Sequence, residues 1–335
     1  MLVVIDANVW LKERLLRSAI GVAFIHAVKR LDARILLPSV TRDEIRAGVE
    51  RMGLDAVAKV QTGLATVQSL TGSCPDYKVP DAAAFRQAAA ERLVALDCVL
   101  LPFDFKLEHH QRALARVIEH HPPSATREQF RDCLLWEALV DIGADETYLV
   151  SADGDFVDKG AGQHQLAAEL RRESNEKVVL HRTLAEALGA IEPALPPVDA
   201  DATNAAVVAE ALKVAAEYEQ SRGFRLGQVT GIDVKLFATE DPSSTAASFT
   251  VDFEAFDFPV FEGEIEPEAI IRLTGDCILR DDFSVEDFNM DSIRAFDQNG
   301  ERLRGGVVYA RAGSVLFGGH QLPYTIRTPI PGSPT

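Results

Sequence analysis

Acidic side chains follow two short apolar runs that lie far apart in the sequence. Asp6 ends the run at residues 2–5, and Asp153 and Asp155 follow the run at residues 147–150. Two further acids stand near the beginnings of helical patterns, Glu44 and Asp132. Ligands of an open parallel sheet collect beyond the carboxyl ends of its strands. We therefore expect these acids to meet in one crevice.

Converging carboxylates need a counter-charge, because like charges raise each other's pKa and destabilise the fold. Hard divalent cations supply it, and the predicted cluster contains only oxygen ligands, with no thiolate or imidazole, which favours Mg²⁺ or Mn²⁺. A pair of such ions about 4 Å apart can activate a water and stabilise the leaving oxygen of a phosphodiester. The acids therefore indicate metal-dependent phosphodiester hydrolysis.

The elements that would position these acids alternate between strands and helices over residues 1–190. Strands are predicted at 2–5, 33–38, 147–150 and 177–181. Helices are predicted over 10–32, 163–173 and 183–190. A helix-rich region begins at Thr41 and ends at 121, with breaks at 72–80 and at Pro102. A further helix is predicted to begin at a capping box formed by Thr126 and Gln129 and to end at Gly143. This order predicts an α/β fold with an open, mostly parallel sheet and helices on both faces.

The composition changes after residue 190. Residues 191–203 are rich in proline and short polar residues and are interpreted as a linker. An amphipathic helix over 204–222 and period-two alternation beyond 223 follow. We therefore predict three parts: a nuclease-like domain at 1–190, the linker, and a smaller acidic, β-rich (α+β) domain at 204–335.

The charge is distributed unevenly. The 335-residue chain has a net charge of −17. Residues 1–196 hold 23 basic against 28 acidic residues, whereas the remainder holds 11 against 23. If several N-terminal acids bind metal, the rest of that half is close to neutral and can approach a nucleic acid. The acidic C-terminal part should repel RNA, so we expect it to contact a protein, to dimerise or to restrain the cleft.

Composition also limits the setting of the protein. Hydrophobic residues make up 47% of the chain, yet no apolar stretch approaches the roughly 20 residues that span a bilayer. The first apolar run has no basic segment before it and meets Asp6 too early for a signal peptide. The four cysteines are widely scattered, without zinc-like spacing. We expect a cytoplasmic protein with reduced thiols and no membrane partner.

Four of these motifs together resemble the PIN domain family. VVIDANVW resembles its first strand, Glu44 stands in the helix after the second strand, Asp132 lies in FRDCLLWEAL, and Ser151 begins the pattern S-x-D-x-D-F. Each motif is short, but the four occur in the family's order over roughly residues 1–160. The stretch between residues 53 and 121 is long for the core, which suggests one of the larger subfamilies.

The resemblance implies a metal-dependent endoribonuclease that cuts RNA, often single-stranded, by water attack to leave 5′-phosphate and 3′-hydroxyl ends. It implies that Asp6, Glu44, Asp132 and Asp153 bind Mg²⁺ or Mn²⁺ and that Asp155 assists them as a further ligand. It also implies that Asn8 and Ser151 orient ligands or water from the second shell.

Several residues have a second interpretation. Glu44 could complete a capping box with Thr41, which would leave Asp43 as the fallback ligand, and Asn8 could be an N-cap. Asp132 could stabilise a helix N-terminus, and Asp153 and Asp155 could belong to an ordinary turn. Arg127 and Arg131, expected one helical turn apart, are candidates for phosphate contacts or for surface solubility. We interpret the pairs His109–His110 and His120–His121 as surface residues.

Two other functions remain open. A PIN-like core could have lost activity and act as a binding module through its acidic C-terminal domain. A covalent aspartyl phosphatase would need an acid two residues after Asp6, where this chain has Asn8. Toxin–antitoxin action, RNA processing and phage defence are all compatible with the sequence.

Overall fold

A computed structural model describes residues 1–74, 77–144, 146–157, 165–222, 224–257, 269–297, 307–310 and 313–316. The chain forms two compact units. The first comprises Met1–Arg17 and Phe24–Glu192, and the second comprises Ser18–Ala23 and Pro193–Thr335. Among the described residues, no helix is both long and apolar enough to cross a membrane.

A five-stranded parallel sheet organises the first unit. Its strands are β1 (Leu2–Ile5), β2 (Arg34–Pro38), β3 (Leu100–Phe103), β4 (Thr147–Val150) and β5 (Val178–His181). Their order in the sheet is β3-β2-β1-β4-β5, with every neighbouring pair parallel. The predicted open parallel sheet is therefore confirmed, with β1 at its centre.

Helices flank this sheet. They are α1 (Ala7–Lys12), α2 (Ala19–Arg30), α3 (Ser39–Thr71), α4 (Ala82–Ala95), α5 (Leu107–Glu119), α6 (Phe130–Ile142), α7 (Ala168–Glu173) and α8 (Leu184–Ile191). Leu2 and Val4 of β1 pack with Trp136 and Leu139 of α6 in one core cluster. Burial of β1 and β4 along their whole length explains why both read as continuous apolar runs rather than as alternating ones.

Two segments within residues 1–103 differ from the prediction. Residues 100–103 were expected to interrupt a helical region at Pro102, but they form β3. β3 is an edge strand, where proline is tolerated because its missing N–H faces no partner strand. The helix predicted over 10–32 is two helices, because Leu15 and Leu16 have positive φ angles of 58° and the Ser18 hydroxyl accepts a hydrogen bond from the Gly21 N–H.

The second unit contains α9 (Ala200–Arg222) and a four-stranded antiparallel sheet. The strands β6 (Phe224–Ala238), β7 (Ser244–Asp257), β8 (Ala269–Arg280) and β9 (Val285–Phe296) pair in chain order, and β10 (Val307–Ala310) pairs antiparallel with β11 (Gly313–Leu316). Val207 and Ala211 of α9 pack with Val251, Phe253 and Ile271 of the sheet. The predicted β-rich fold class of this part is confirmed, although the helix begins at Ala200 rather than at 204.

Parts of some predicted elements lie outside the described residues. The helix predicted over 163–173 begins only at Ala168, because residues 165–167 are described and are not helical, and residues 163 and 164 lie outside the described residues. The same holds for the end of the predicted C-terminal domain, residues 317–335.

Candidate metal centre

The order of the strands reverses between β1 and β4, and a sheet of this kind opens a crevice at that point. Asp6 directly follows β1, and its backbone N–H donates to the carbonyl of Val150 at the end of β4, at 2.9 Å. The residues after β4 begin with Ser151. The two acidic segments of the sequence therefore lie side by side at the carboxyl edge of the sheet.

Ser151 links these two segments. Its buried hydroxyl donates to Oδ2 of Asp6 at 3.0 Å and accepts the backbone N–H of Asp153 at 3.1 Å. Asp153 in turn accepts the backbone N–H of Asp155 at 2.9 Å, which closes a short 3₁₀ turn over Gly154–Phe156. Arg182, just after β5, donates to the carbonyl oxygens of Ala152 and Asp153 and holds the turn from the other side.

Asp132 reaches the same place from the first turn of α6. Carboxylate oxygens of Asp132, Asp153 and Asp155 lie within 4.8 Å of one another. Burial raises the pKa of Asp132 to about 7, and the charges of Asp6, Asp153 and Glu44 add to that rise. Burial also raises the pKa of Asp6, and Glu44 and Asp153 act in the same direction against the hydrogen bond from Ser151. These acids therefore repel one another and favour a bound cation.

Asp155 differs from its neighbours. Burial by itself would raise its pKa, but hydrogen bonds from Gln129 and Arg127 outweigh burial and lower it. Its oxygens accept bonds from Thr126 at 3.3 Å, from Arg127 Nε at 2.8 Å and from Gln129 Nε2 at 2.8 Å. Asp155 thus anchors the segment before α6 to the turn after β4.

These contacts overturn one local prediction. Thr126 and Gln129 were expected to cap a helix beginning there, but α6 begins at Phe130 and neither side chain caps it. Both side chains are bound to Asp155 instead. Arg127 therefore precedes α6, and the expected spacing of one helical turn between Arg127 and Arg131 is wrong.

Both arginines that were expected to meet phosphate pair with acids of the cluster. Arg127 lies 2.8 Å from Asp155 and 3.3 Å from Asp153. Arg131 donates from Nη1 to Oε1 of Glu44 at 2.6 Å. In the metal-free protein these guanidinium groups provide part of the positive charge that the acids require.

Glu44 lies in the second turn of α3, and Asn8 lies in the first turn of α1. α3 begins at Ser39 with Pro38 before it, so the capping box between Thr41 and Glu44 does not form and Glu44 reaches Arg131 instead. Asp43, the fallback ligand, is 70% exposed and lies 3.8 Å from Arg46. Asp6 rather than Asn8 precedes α1, so the N-cap interpretation of Asn8 is wrong, and Asn8 lines the cleft beside Asp6.

A cleft of about 900 Å³ opens over these acids. Asp6, Glu44, Asp132 and Asp153 line it together with Asn8. Its walls also include two further acids, two arginines and apolar side chains of α1, α3, α5 and α6: Asp43, Glu128, Arg51, Arg131, Leu11, Val40, Leu114, Val117 and Phe130. The cleft is therefore large enough for a substrate and carries both apolar and charged surfaces.

Some site contacts left no signal in the sequence. Arg182, Thr126 and Gln129 contact residues 26 or more positions away along the chain.

The histidine prediction is wrong in one case, because His109 is 1% exposed and lies 3.2 Å from Asp141. His109 also accepts the backbone N–H of Lys106 and thereby caps α5.

Comparison with known protein families gives one match. Residues 3–156 match the family model of the PIN domain. No curated protein and no solved structure matches the chain.

Proposed function

We propose that this protein is an endoribonuclease that requires Mg²⁺ or Mn²⁺, because residues 3–156 match the model of the PIN domain family, whose members are generally metal-dependent nucleases. Its substrate is single-stranded RNA, and its products carry 5′-phosphate and 3′-hydroxyl ends. The observation that carries the proposal is the convergence of Asp132, Asp153 and Asp155 within 4.8 Å beside Asp6, at the reversal point of the sheet.

The residues fit a hard divalent cation. Every candidate ligand is a carboxylate, and Mg²⁺ and Mn²⁺ prefer oxygen. The raised pKa of Asp132 indicates excess negative charge that a cation would relieve. In the proposal Asp6, Glu44, Asp132 and Asp153 hold the cations, and Asp155, whose oxygens already accept three hydrogen bonds, supports them.

The side chains around the ligands have separate tasks. Ser151 fixes the carboxylate of Asp6 through its hydroxyl, and Asn8 stands beside Asp6 on the cleft wall, where it can orient the attacking water. A bound divalent cation supplies Lewis-acid stabilisation and lowers the pKa of water. Once cations neutralise the acids, Arg127 and Arg131 can exchange their carboxylate partners for phosphate oxygens.

The reaction balances without another reactant. The oxygen of water forms a bond to phosphorus, and the bond between phosphorus and the 3′ oxygen breaks. The departing 3′ oxygen takes up a proton, which leaves a 3′-hydroxyl on one fragment and a 5′-phosphate on the other.

The test is cleavage of labelled single-stranded RNA and DNA in Mn²⁺, Mg²⁺ or EDTA, with Asp6→Asn and Asp153→Asn beside the wild type. We expect RNA cutting that EDTA abolishes and that each variant reduces at least about 100-fold, since a neutral amide removes a charged ligand. Unchanged cleavage and metal binding in Asp6→Asn would sink the proposal. A silent wild type that still binds RNA would favour an inactive binding module.

Two variants decide which acid of α3 is the ligand. Glu44→Gln should reduce activity as strongly as Asp153→Asn, whereas Asp43→Asn should leave it within about twofold, because Asp43 is largely exposed and faces Arg46. Loss of activity in Asp43→Asn together with an active Glu44→Gln would move the ligand assignment to Asp43.

A further inference from the structure

Phe130 is placed unusually for a large apolar residue. It is the first residue of α6, and it lies two positions before Asp132. The following apolar residues of α6, such as Leu134 and Trp136, are buried, but Phe130 is 38% exposed and lines the cleft of the candidate metal centre. An exposed ring beside an acidic cluster does not contribute its full apolar area to the core, so its position calls for another explanation.

Neighbouring residues extend this apolar surface. Leu114 of α5 is 51% exposed and lines the same cleft, as does Val117. The ring of His110 lies 6.4 Å from that of Phe130 and contacts Phe105 edge-on at 5.8 Å. Phe130 thus belongs to a row of rings that extends from the core to the cleft wall.

The surroundings indicate what this surface binds. The acids share the walls of the cleft with Arg51 of α3 and Arg131 of α6, and Arg131 is paired with Glu44. A flat apolar group attached to a charged phosphate chain fits both features, because its ring can stack on Phe130 while its phosphates approach the cations and arginines. An unpaired nucleobase is such a group.

We propose that Phe130, with Leu114 and Val117, forms a stacking subsite for the unpaired base of a nucleotide next to the scissile phosphate. This inference rests on the proposed function and deepens it. A base within a duplex is covered by its neighbours and cannot reach a side chain on a cleft wall, so the subsite selects single strands. Stacking accepts any base, so it imposes no sequence.

The test asks whether removal of the Phe130 ring and removal of one RNA base have coupled effects on binding. Binding of a labelled single-stranded RNA is measured by fluorescence anisotropy in Mg²⁺, with Asp6→Asn to prevent cleavage. RNAs with one abasic site at successive positions are compared in the Asp6→Asn protein and in the same protein that also carries Phe130→Ala. We expect Phe130→Ala to weaken binding about 5- to 150-fold, the range for loss of one stacked base. One abasic position should cause a similar loss with Phe130 present and almost none without it.

Matched variants separate stacking from folding. Phe130→Leu keeps most of the apolar volume but removes the aromatic face, so it should bind weakly while its melting temperature stays near that of the parent. Phe130→Tyr keeps the ring and should bind like the parent. Ile118→Ala changes a side chain that is 68% exposed on α5 and does not line the cleft, so it should leave binding unchanged.

The outcomes distinguish this inference from the proposed function. If the wild type cuts RNA but Phe130→Ala and Phe130→Leu bind as tightly as the parent, the subsite is wrong and the nuclease proposal stands. If ring and base are coupled but the wild type never cuts, the subsite stands and the nuclease proposal fails. If the Asp6→Asn protein binds no RNA, the subsite is overturned.

Discussion

At the scale of single residues, Asp132 is the acid whose ionisation conflicts most with its surroundings. Its pKa of about 7 in the metal-free fold lies well above the value near 3.9 of an unfolded aspartate. A carboxyl with a raised pKa contributes stability that is fully present below the unfolded value and is lost as the pH rises through the folded value. The metal-free protein should therefore lose stability as the pH rises from about 4 to about 7, because over this range Asp132 is ionised in the unfolded chain but still largely protonated in the folded protein.

Asp132→Asn should remove this pH dependence. The amide carries no charge, so in EDTA the variant should be more stable than the wild type by about 1–2 kcal/mol at pH 8 and about equal at pH 4.5. The full pKa difference corresponds to about 4 kcal/mol, which we reduce because Asp132 is only partly buried. Urea unfolding at both pH values measures the difference, with Asp43→Asn as the exposed control. An equal difference at both pH values would contradict the assignment.

The sequence predicted the acids of this site better than their partners. The positions of Asp6, Asp153 and Asp132 follow from local patterns, namely apolar runs that end in acids and a helix that begins near one. The three donors to Asp155 come from a segment 26 to 29 residues earlier, and no local pattern records that pairing. In the same way, the partner of Glu44 is 87 residues away, so the local capping box was the simpler but incorrect alternative.

At the scale of elements, predictability depended on burial. β1 and β4 are buried along their whole length and are recognisable as apolar runs, whereas β3 is a short edge strand with Pro102 and two exposed positions. The break between α1 and α2 was missed because Leu15 and Leu16 keep the apolar spacing of a helix while their backbone leaves it at φ 58°. Sequence periodicity reports which side chains are buried, not the backbone angles that bury them.

β8 and β9 carry a testable constraint of the second unit. The register between them shifts at Gly275, where an added Cβ would lie 2.1 Å from the carbonyl oxygen of Asn289 and 2.6 Å from the Phe249 ring. Backbone cannot yield as the end of a side chain can, so Gly275→Ala should destabilise the pairing by about 1–3 kcal/mol. Amide hydrogen exchange of β8 and β9 should then become about 5- to 150-fold faster.

A second glycine of the same sheet serves as the control for that change. At Gly231 an added Cβ would meet the Asp252 side chain at 3.5 Å, an ordinary contact, so Gly231→Ala should leave exchange nearly unchanged. Equal protection of β8 and β9 in wild type and Gly275→Ala would show that the strands tolerate a side chain there. Such a result would contradict the close approach of the two strands.

At the scale of the whole molecule, the negative charge of the protein opposes binding of the proposed RNA substrate. The net charge is −17, and the described cleft lining includes six acids but only two arginines. Arg131 is already paired with Glu44. RNA is itself a polyanion, so the protein cannot attract it by a broad basic surface in the described cleft. Within the described cleft, attraction comes from bound cations, the two arginines and the apolar wall.

This balance predicts a shallow dependence of RNA binding on monovalent salt. Each phosphate of a single strand that a basic side chain neutralises contributes a slope of about −0.7 to log K against log salt. Two or three arginines therefore give a slope between about −1.4 and −2.1, or at most a loss of about 20-fold between 50 and 200 mM KCl in constant Mg²⁺. Anisotropy titrations with the Asp6→Asn protein measure it. Arg51→Gln should flatten the slope by about 0.7, whereas Arg172→Gln should not, because Arg172 is exposed on α7 and does not line the cleft. A slope steeper than about −4 would require a basic surface that the described cleft does not have.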